Sequence, residues 1–172
     1  MIFVTLGTHE RPFYRLVKEI EKLIQEKKIR EKVVIQLGFT DYFVEGAECY
    51  NFIPEEKFQK YLKNCSLLIT HGGLGSIMRG INAGKVVIVV PRRKKFNEHT
   101  DDHQLQIVKE ARKRGSVLVV YDIKNLLKAI EKAKKLKAKK REYKPEKMLK
   151  IIGRILKNWE RKYENRNCNP LL

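Results

Sequence analysis

Apolar residues along the chain fall into short continuous runs, separated by longer stretches in which apolar and charged positions alternate with helical spacing. The continuous runs have four or five residues each, which is typical of strands buried on both faces. They occupy residues 2–6, 33–37, 50–53, 67–70, 86–90 and 117–121. The helically spaced stretches occupy residues 13–24, 54–62, 75–83, 101–114 and 122–140, and a last one begins at Pro145.

This alternation of apolar strands with amphipathic helices predicts the fold class. Parallel strands need a crossover of about a dozen residues between them, which a helix supplies. We therefore expect an α/β fold, a Rossmann-like parallel sheet with helices on both faces. The Lys-rich stretch 134–144 is a soft boundary. Residues 1–144 are predicted as one domain, and residues 145–172 as a basic amphipathic C-terminal helix and tail.

The charge of the chain is strongly basic and unevenly distributed. The 172 residues carry a formal net charge of +18, of which residues 121–172 contribute +11. Anionic partners are therefore expected. A nucleic-acid-binding domain is disfavoured, because this excess accompanies an apolar stripe and no aromatic-rich binding motif. The basic face of the last helix suits an anionic membrane surface, although that helix alternatively completes its own core with solvated charges.

Membrane spans and secretion signals are not predicted. The longest apolar runs have five residues, against the roughly 20 that a spanning helix needs. The N-terminus predicts a strand rather than a signal peptide. Three widely separated cysteines indicate a reducing compartment rather than a disulfide or zinc framework. We therefore expect a cytoplasmic protein.

Three segments follow predicted strands at the edge where ligands of open parallel sheets bind. They are residues 7–9, 71–76 and 91–104. The second is rich in glycine and opens a helix, so its bare backbone N–H groups and the positive end of the helix dipole suit a phosphate. The alternative is a tight turn that needs glycine only for its backbone angles.

Two familiar phosphate motifs nearly match this region and then fail. The GLG at 73–75 begins a dinucleotide-binding GxGxxG motif, but Met78 stands where the third glycine belongs. The stretch 80–85 has one residue too few between its glycines for a Walker A loop, and Val86 replaces the Ser or Thr. A dinucleotide oxidoreductase and a P-loop NTPase are therefore disfavoured.

The segment 91–104 mixes four basic residues with carboxylates, histidines and a glutamine. This density of hydrogen-bonding groups indicates a loop that binds sugar or phosphate. His99 and His103 have a spacing that allows them to share a metal, but no third ligand is obvious, so we favour the polar loop over a metal site. A solvated loop with a helix N-cap at Thr100 or Asp101 also stays open.

Three stretches in this order carry a resemblance to a known family: VTLGTHERPFYRLV, ITHGGLGS and PRRKKFNEHTDDHQLQ. Together they resemble the glycosyltransferase family 28 C-terminal domain, the donor-binding half of a GT-B enzyme. Within that family the chain is most similar to the small subunits of two-part glycosyltransferases. These include the PssE-type exopolysaccharide subunits and the eukaryotic subunit that adds GlcNAc to a dolichol-linked chain, with MurG a more distant relative.

The resemblance implies roles for individual residues. Gly72, Gly73, Gly75 and Ser76 match the turn that faces the donor diphosphate, and Phe52 and Ile53 match the stretch that reads the uracil. The sugar-facing positions are Glu98, His99, Asp102, His103 and Gln104. Relatives carry a ribose-binding Glu where this chain has Arg79, so we expect Arg79, together with Arg92, to contact phosphate instead.

The resemblance also implies an inverting transfer from a UDP-sugar to a lipid-linked acceptor. Because no DxD motif is present, no metal cofactor is expected. The catalytic base is expected to be His9, with His71 as its rival, or to lie in a partner. The implied partner is a membrane-anchored, acceptor-binding subunit that holds the chain at the cytoplasmic face of the membrane. The alternative is a non-catalytic accessory that stabilises or enhances a membrane-associated glycosyltransferase.

Overall fold

The computed structural model describes residues 1–113 and 117–136. All of them lie in the first of the chain's two units, Met1–Arg141. These residues form the strands β1 (Ile2–Thr5), β2 (Val33–Gln36), β3 (Glu48–Tyr50), β4 (Leu67–Thr70), β5 (Val86–Val89) and β6 (Leu118–Val119). Their α-helices are α1 (Tyr14–Gln25), α2 (Glu55–Asn64), α3 (Leu74–Asn82), α4 (His103–Lys113) and α5 (Leu126–Lys135).

The strands form one parallel sheet in the order β3-β2-β1-β4-β5-β6. The last residue of β1, Thr5, lies beside Gln36 of β2 and Thr70 of β4, so these three strands end at the same edge. The strand order reverses between β1 and β4, and ligands of such sheets bind at the carboxyl edge next to this reversal.

Helices cover both faces of the sheet because alternate strand residues point to opposite sides. In β1, Ile2 and Val4 pack with α1 and α5 in one buried cluster. Phe3, between them, packs on the other face with α2, α3 and α4, where Phe58 and Ile77 are buried. Each face therefore has its own core, as the fully apolar strands predict.

β3 and α4 each begin two residues away from their predicted starts. β3 spans Glu48–Tyr50 instead of 50–53, because Pro54 has no N–H for a strand ladder and starts α2. α4 begins at His103 rather than at residue 101, because the Asp101 carboxylate accepts a hydrogen bond from the His103 N–H and ends the loop there.

The C-terminal predictions are tested only up to residue 136. The predicted helix 122–140 starts as a short 3₁₀ turn, in which the Asp122 carboxylate accepts from the Lys124 N–H at 3.1 Å, and becomes α-helical at Leu126. The domain boundary at residue 144 and the basic helix from Pro145 lie outside the described residues. None of the described helices has the length and apolarity needed to cross a membrane.

Candidate functional site

A cleft of about 450 Å³ opens at the carboxyl edge of the sheet, beside the reversal of strand order. Thr5 and Gly7 line it from the end of β1, and Gln36 from the end of β2. The loop before α2 and the glycine turn between β4 and α3 form its walls. This is the place where open parallel sheets bind their ligands.

The cleft brings together about half of the predicted site residues. Those that line it are Phe52, Ile53, His71, Gly73, Gly75, Ser76 and Arg79. The predicted residues that are not part of its lining are His9, Gly72, Arg92, Glu98, His99, Asp102, His103 and Gln104. The first group thus surrounds one open space, and most of the second belongs to the loop after β5.

The glycine turn leaves backbone donors at the start of α3. Gly73 is the N-cap of this helix, and no side chain among the described residues caps its first turn. The first N–H groups of a helix have no partner within the helix and attract anions together with the helix dipole. Gly75 and Ser76 of this turn line the cleft. The turn can therefore hold a phosphate-sized anion.

The three glycines of the turn differ in what surrounds them. A Cβ on Gly73 would overlap the ring of His71, and one on Gly72 would lie 2.8 Å from the Gln104 side chain. A Cβ on Gly75 would meet no atom of the other described residues within 4 Å, apart from its own helix backbone and chain neighbours. Packing therefore requires glycine at 72 and 73, whereas the space beside Gly75 is open to a ligand.

His71 is half-buried beside the glycine turn and lines the cleft. A Cβ on Gly7 or on Gly73 would collide with its ring, so the loop after β1 and the turn after β4 both close over it. Burial and the nearby charge of Arg92 lower the pKa of His71 to about 4. The imidazole is therefore neutral at physiological pH, and a base with so low a pKa accepts protons weakly.

His9 stands in the loop after β1 and is partly buried. Its Nδ1 accepts a hydrogen bond from the Arg11 N–H at 3.1 Å, which places the proton of the neutral ring on Nε2. Burial and the charge of Arg92 lower the pKa of His9 below its usual value. In this arrangement His9 is a neutral hydrogen-bond donor at Nε2, and its Nδ1 can act as a base only after it leaves the Arg11 N–H.

The structure does not fit the expectation that Arg92 binds the diphosphate. Its side chain is only 1% exposed, and its guanidinium lies 4.7 Å from the Phe13 ring centroid. The guanidinium donates to the carbonyl oxygens of Leu6 at 2.8 Å, Arg11 at 2.7 Å and Glu98 at 3.1 Å. Arg92 therefore joins the loops after β1 and β5 internally.

Glu98 does not fit its predicted sugar contact for a similar reason. It is 3% exposed, and its two carboxylate oxygens accept from the Arg15 guanidinium at 2.8 and 2.9 Å. One of these oxygens also accepts from the Arg93 N–H at 3.0 Å. This buried carboxylate therefore anchors the loop to α1.

Gln104 connects the glycine turn to the loop after β5. Its side-chain oxygen accepts from the N–H of Gly72 at 3.0 Å and from that of Arg92 at 3.1 Å. Both lone pairs of this oxygen are thus occupied by the backbone. The sugar contact predicted for Gln104 is left to its amide nitrogen and stays a prediction.

Asp102 and the two histidines of this loop form a separate polar group. Asp102 accepts from the Lys94 N–H at 3.0 Å and from the Arg93 side chain at 3.4 Å. The rings of His99 and His103 lie 4.6 Å apart, and the ring of His9 lies 4.3 Å from that of His99. Their predicted sugar contacts stay predictions, since none of them is in the cleft lining.

Arg79 is the cationic side chain of the cleft lining, and it has a partner there. Its guanidinium lies 2.8 Å from the Glu55 carboxylate and 4.8 Å from the centre of the Phe58 ring. Hydrogen bonds from Gln59 and from Arg79 lower the pKa of Glu55. An anion that enters the cleft therefore competes with Glu55 for the guanidinium.

An exposed aromatic pair adjoins the cleft. Phe39 and Phe52 are 55% and 51% exposed, and their rings meet edge to face with centroids 5.2 Å apart. Large apolar side chains left in water beside a polar cleft are typical of a ligand contact. The exposed ring faces of this pair offer apolar contact to a nucleobase.

Gln36 and Glu55 are among the polar cleft residues that sequence reasoning missed. A signal was available for the first, because Gln36 is the polar residue at the end of the apolar run VVIQL and is nearly buried there. Glu55 gave no such signal, since an acidic residue in a first helical turn is common. Its place in the cleft depends on where α2 lies.

Comparison with known proteins places the chain in a family. Residues 1–158 match the glycosyltransferase family 28 C-terminal domain. The chain belongs to this family. A comparison with curated proteins finds no match for this family 28 domain.

Solved structures confirm the predicted fold. The family 28 domain is similar to the glycotransferase of kitacinnamycin, with a TM-score of 0.59, 18% identity, and coverage of 80% of this chain and 35% of that one. For CalG4, the calicheamicin glycosyltransferase, the TM-score is 0.53 at 18% identity, with 78% and 34% covered. For the glycosyltransferase SnogD from Streptomyces nogalater it is 0.55 at 19% identity, again with 78% and 34% covered.

The chain spans about a third of the length of these three structures. The six-stranded parallel sheet with helices on both faces is the fold of the C-terminal half of a GT-B glycosyltransferase.

Proposed function

We propose that this domain binds the donor, a UDP-sugar, in a two-component, inverting glycosyltransferase that acts on a lipid-linked acceptor. The proposal rests on the structure at the start of α3. Its first turn has no side-chain cap and adjoins a cleft of about 450 Å³, and the space beside Gly75 is open. An anionic group of the donor fits this combination.

The backbone N–H donors at the start of α3 suit the cleavage of a sugar–diphosphate bond. When the bond between sugar and diphosphate breaks, negative charge develops on the leaving nucleotide, and fixed donors at that place stabilise the transition state. The N–H groups of the α3 turn and the Arg79 guanidinium supply that stabilisation. We therefore propose that the donor is activated without a metal.

The apolar side of the cleft suits the nucleoside. Phe52 and Ile53 line it, and Phe39 extends the surface outward. A planar base stacks favourably on exposed aromatic rings. In the proposed arrangement the base lies toward Phe52, and the diphosphate lies toward Gly75.

The base that deprotonates the acceptor hydroxyl is proposed to be His9 rather than His71. The His71 ring is enclosed between two glycines and its pKa is about 4. His9 is half-buried in the loop after β1, and rotation away from the Arg11 N–H frees the Nδ1 lone pair for the hydroxyl proton. The acceptor itself requires a second domain, since the described residues form one half of a GT-B arrangement.

We propose that a membrane-anchored subunit supplies this second domain and holds the chain at the cytoplasmic face of the membrane. The charge of +11 over residues 121–172 favours a nearby anionic lipid surface, where each basic residue contributes about 1 kcal/mol. Co-expression with the candidate membrane subunit should bring the chain into the membrane fraction. Complete sugar transfer to a lipid acceptor by the purified chain alone would contradict the two-component proposal.

Titration calorimetry of the purified chain with UDP tests donor binding directly. We expect saturable binding of one UDP that persists in the presence of a chelator. Uridine should bind far more weakly, because it lacks the diphosphate that meets the α3 turn. No heat of binding at roughly millimolar UDP, which corresponds to about −4 kcal/mol of binding free energy, would overturn the proposal.

A non-catalytic accessory role is the second candidate, and one observation favours it. The Arg79 guanidinium is already paired with Glu55, so the cleft cation is neutralised before any donor arrives. Glu55→Gln separates the two functions. If the domain binds a donor, this variant frees Arg79 and should strengthen UDP binding several-fold. An accessory that never binds donor should show no UDP binding in either form.

A further inference from the structure

We propose that His99, Asp101 and His103 form a binding site for a divalent transition-metal ion of the zinc class. The site goes beyond the proposed donor binding, because none of the three residues belongs to the lining of the donor cleft. The spacing of the two histidines in the sequence leaves the third ligand unidentified. The structure supplies it, since Asp101 lies between them.

The geometry of the three side chains carries the proposal. Their potential ligand atoms all lie within 4.8 Å of one another. The Nδ1 atoms of both histidines face the same carboxylate oxygen of Asp101, at 3.4 Å for His99 and in direct contact for His103. Three ligand atoms bound to one ion are separated by distances of this order. Small side-chain rotations therefore suffice to direct the three atoms at one ion.

Helix capping alone does not account for this arrangement. Asp101 accepts from the His103 N–H at 3.0 Å, which is an ordinary capping contact. A cap needs one carboxylate oxygen and no imidazole. Here two imidazoles converge on the capping carboxylate, and His99 is only 7% exposed.

The backbone on both sides of the site is held in place by contacts that do not involve the ligands. On one side, Arg92 donates to the Glu98 carbonyl oxygen at 3.1 Å, and Arg15 holds the Glu98 carboxylate. On the other side, the Gln104 side chain accepts from the N–H groups of Gly72 and Arg92. A metal site gains affinity when its ligands sit on a backbone already fixed in this way.

The chemistry of the ligands selects the ion. Two imidazole nitrogens and one carboxylate oxygen suit Zn²⁺ and its neighbours in the first transition series, whereas Mg²⁺ prefers oxygen ligands. Three protein ligands leave a fourth position of a tetrahedral ion for water or another oxygen ligand. The Nδ1 of His99 also accepts from the Asp101 N–H at 3.3 Å, so ligation through this atom replaces that hydrogen bond. His9 is not assigned as the fourth ligand, because it lies in the loop after β1 and its contact with the site is a ring contact with His99.

Metal binding by the full-length, tag-free chain tests the proposal without nucleotide. Equilibrium dialysis followed by elemental analysis should find one Zn²⁺ per chain, and calorimetry should find no comparable heat with Mg²⁺. Replacing Zn²⁺ by Co²⁺ should give a visible spectrum without a thiolate charge-transfer band, which excludes binding through the cysteines. A thiolate band, or less than half an equivalent of Zn²⁺ under saturating conditions, overturns the site.

Variants separate a specific site from adventitious binding. His103→Ala and His99→Ala should each weaken Zn²⁺ binding by at least about tenfold. Asp101→Asn retains a helix-capping side chain and should weaken it by a similar factor without unfolding the chain. Asp41→Asn is the matched control, since Asp41 is an exposed aspartate elsewhere, and it should bind as the parent does. Equal affinity in Asp101→Asn, His103→Ala and the parent rejects the assignment.

Discussion

The glycine turn at 71–76 and the loop at 91–104 both follow central strands of the sheet, and the sequence predicts both as donor-binding segments. In the structure the two segments differ in whether their polar groups already have hydrogen-bond partners. The turn leaves the first N–H groups of α3 without a side-chain cap and beside open space. The most buried polar groups of the loop already have partners within the domain, as Arg92, Glu98 and Gln104 show.

A segment rich in polar residues can therefore have either of two roles: its polar groups stabilise the fold of the segment, or they bind a ligand. A buried polar group must find a partner, so a loop that crosses a domain interior needs charges and amides merely to hold its own backbone. A ligand site is instead marked by donors that have no partner yet and adjoin a cavity. The count of polar residues, which is higher in 91–104, does not distinguish the two cases.

The sharpest test of the loop's internal role is Glu98→Ala. It leaves the Arg15 guanidinium and the Arg93 N–H without their acceptor, and breaking a buried ion pair costs about 3–5 kcal/mol of unfolding free energy. Urea denaturation measures this loss. Asp102→Ala is the control in the same loop, because Asp102 is exposed, and it should cost less than about 1 kcal/mol. Equal losses would mean that Glu98 is not the anchor.

The glycine turn makes the free energy of unfolding depend on pH, because His71 lies beside it. The pKa of His71 is about 4 in the folded chain, against 6.5 for a free histidine, so the unfolded chain binds the proton more tightly. Stability from this group is complete above about pH 6.5 and is lost as the pH falls toward 4. The loss approaches about 3 kcal/mol at the low end.

Urea denaturation at several pH values checks the His71 prediction, and His71→Gln should flatten the part of the profile between pH 6.5 and 4. An NMR titration of the His71 ring in the parent gives the same information without a variant. A ring that titrates near its usual value would show that His71 is not enclosed by the turn.

Gly75→Val tests whether the turn is a ligand site. The branched side chain fills the open space without meeting protein atoms, so the fold should persist, and valine is no worse than glycine inside a helix. UDP affinity should fall by about a hundredfold or more, equivalent to about 2.7 kcal/mol. Asn82→Val places the same side chain at the other end of α3 and should bind UDP as the parent does. Unchanged affinity in Gly75→Val would remove the phosphate from this turn.

Gln104→Ala probes the connection between the two regions. It leaves the buried N–H groups of Gly72 and Arg92 unpaired, which costs about 1–3 kcal/mol of stability. If Gln104 acts only through the glycine turn, UDP and the intact UDP-sugar should lose affinity by the same factor in calorimetric titrations. A larger loss for the UDP-sugar would show that its amide nitrogen contacts the hexose.

The sequence by itself determined the fold and the place of the cleft. Short apolar runs and amphipathic stretches specify which residues are buried on each face, and parallel strands with helical crossovers leave few arrangements. The position of Gly75 in a helix-opening turn after β4 follows from the same local pattern. Phe52 and Ile53 also reach the predicted cleft, although the strand before them ends earlier than their apolar character predicts.

Only the tertiary structure decided which polar residues face the ligand. Arg92 and Glu98 have the residue types of a phosphate or sugar site, but their donors and acceptors meet partners that lie about 80 residues away in the chain, at Arg11 and Arg15. Glu55 and Gln36 enter the cleft because α2 and β2 bring them there. Contacts between distant segments carry no local sequence pattern, and they determine whether a polar side chain is already satisfied or still available.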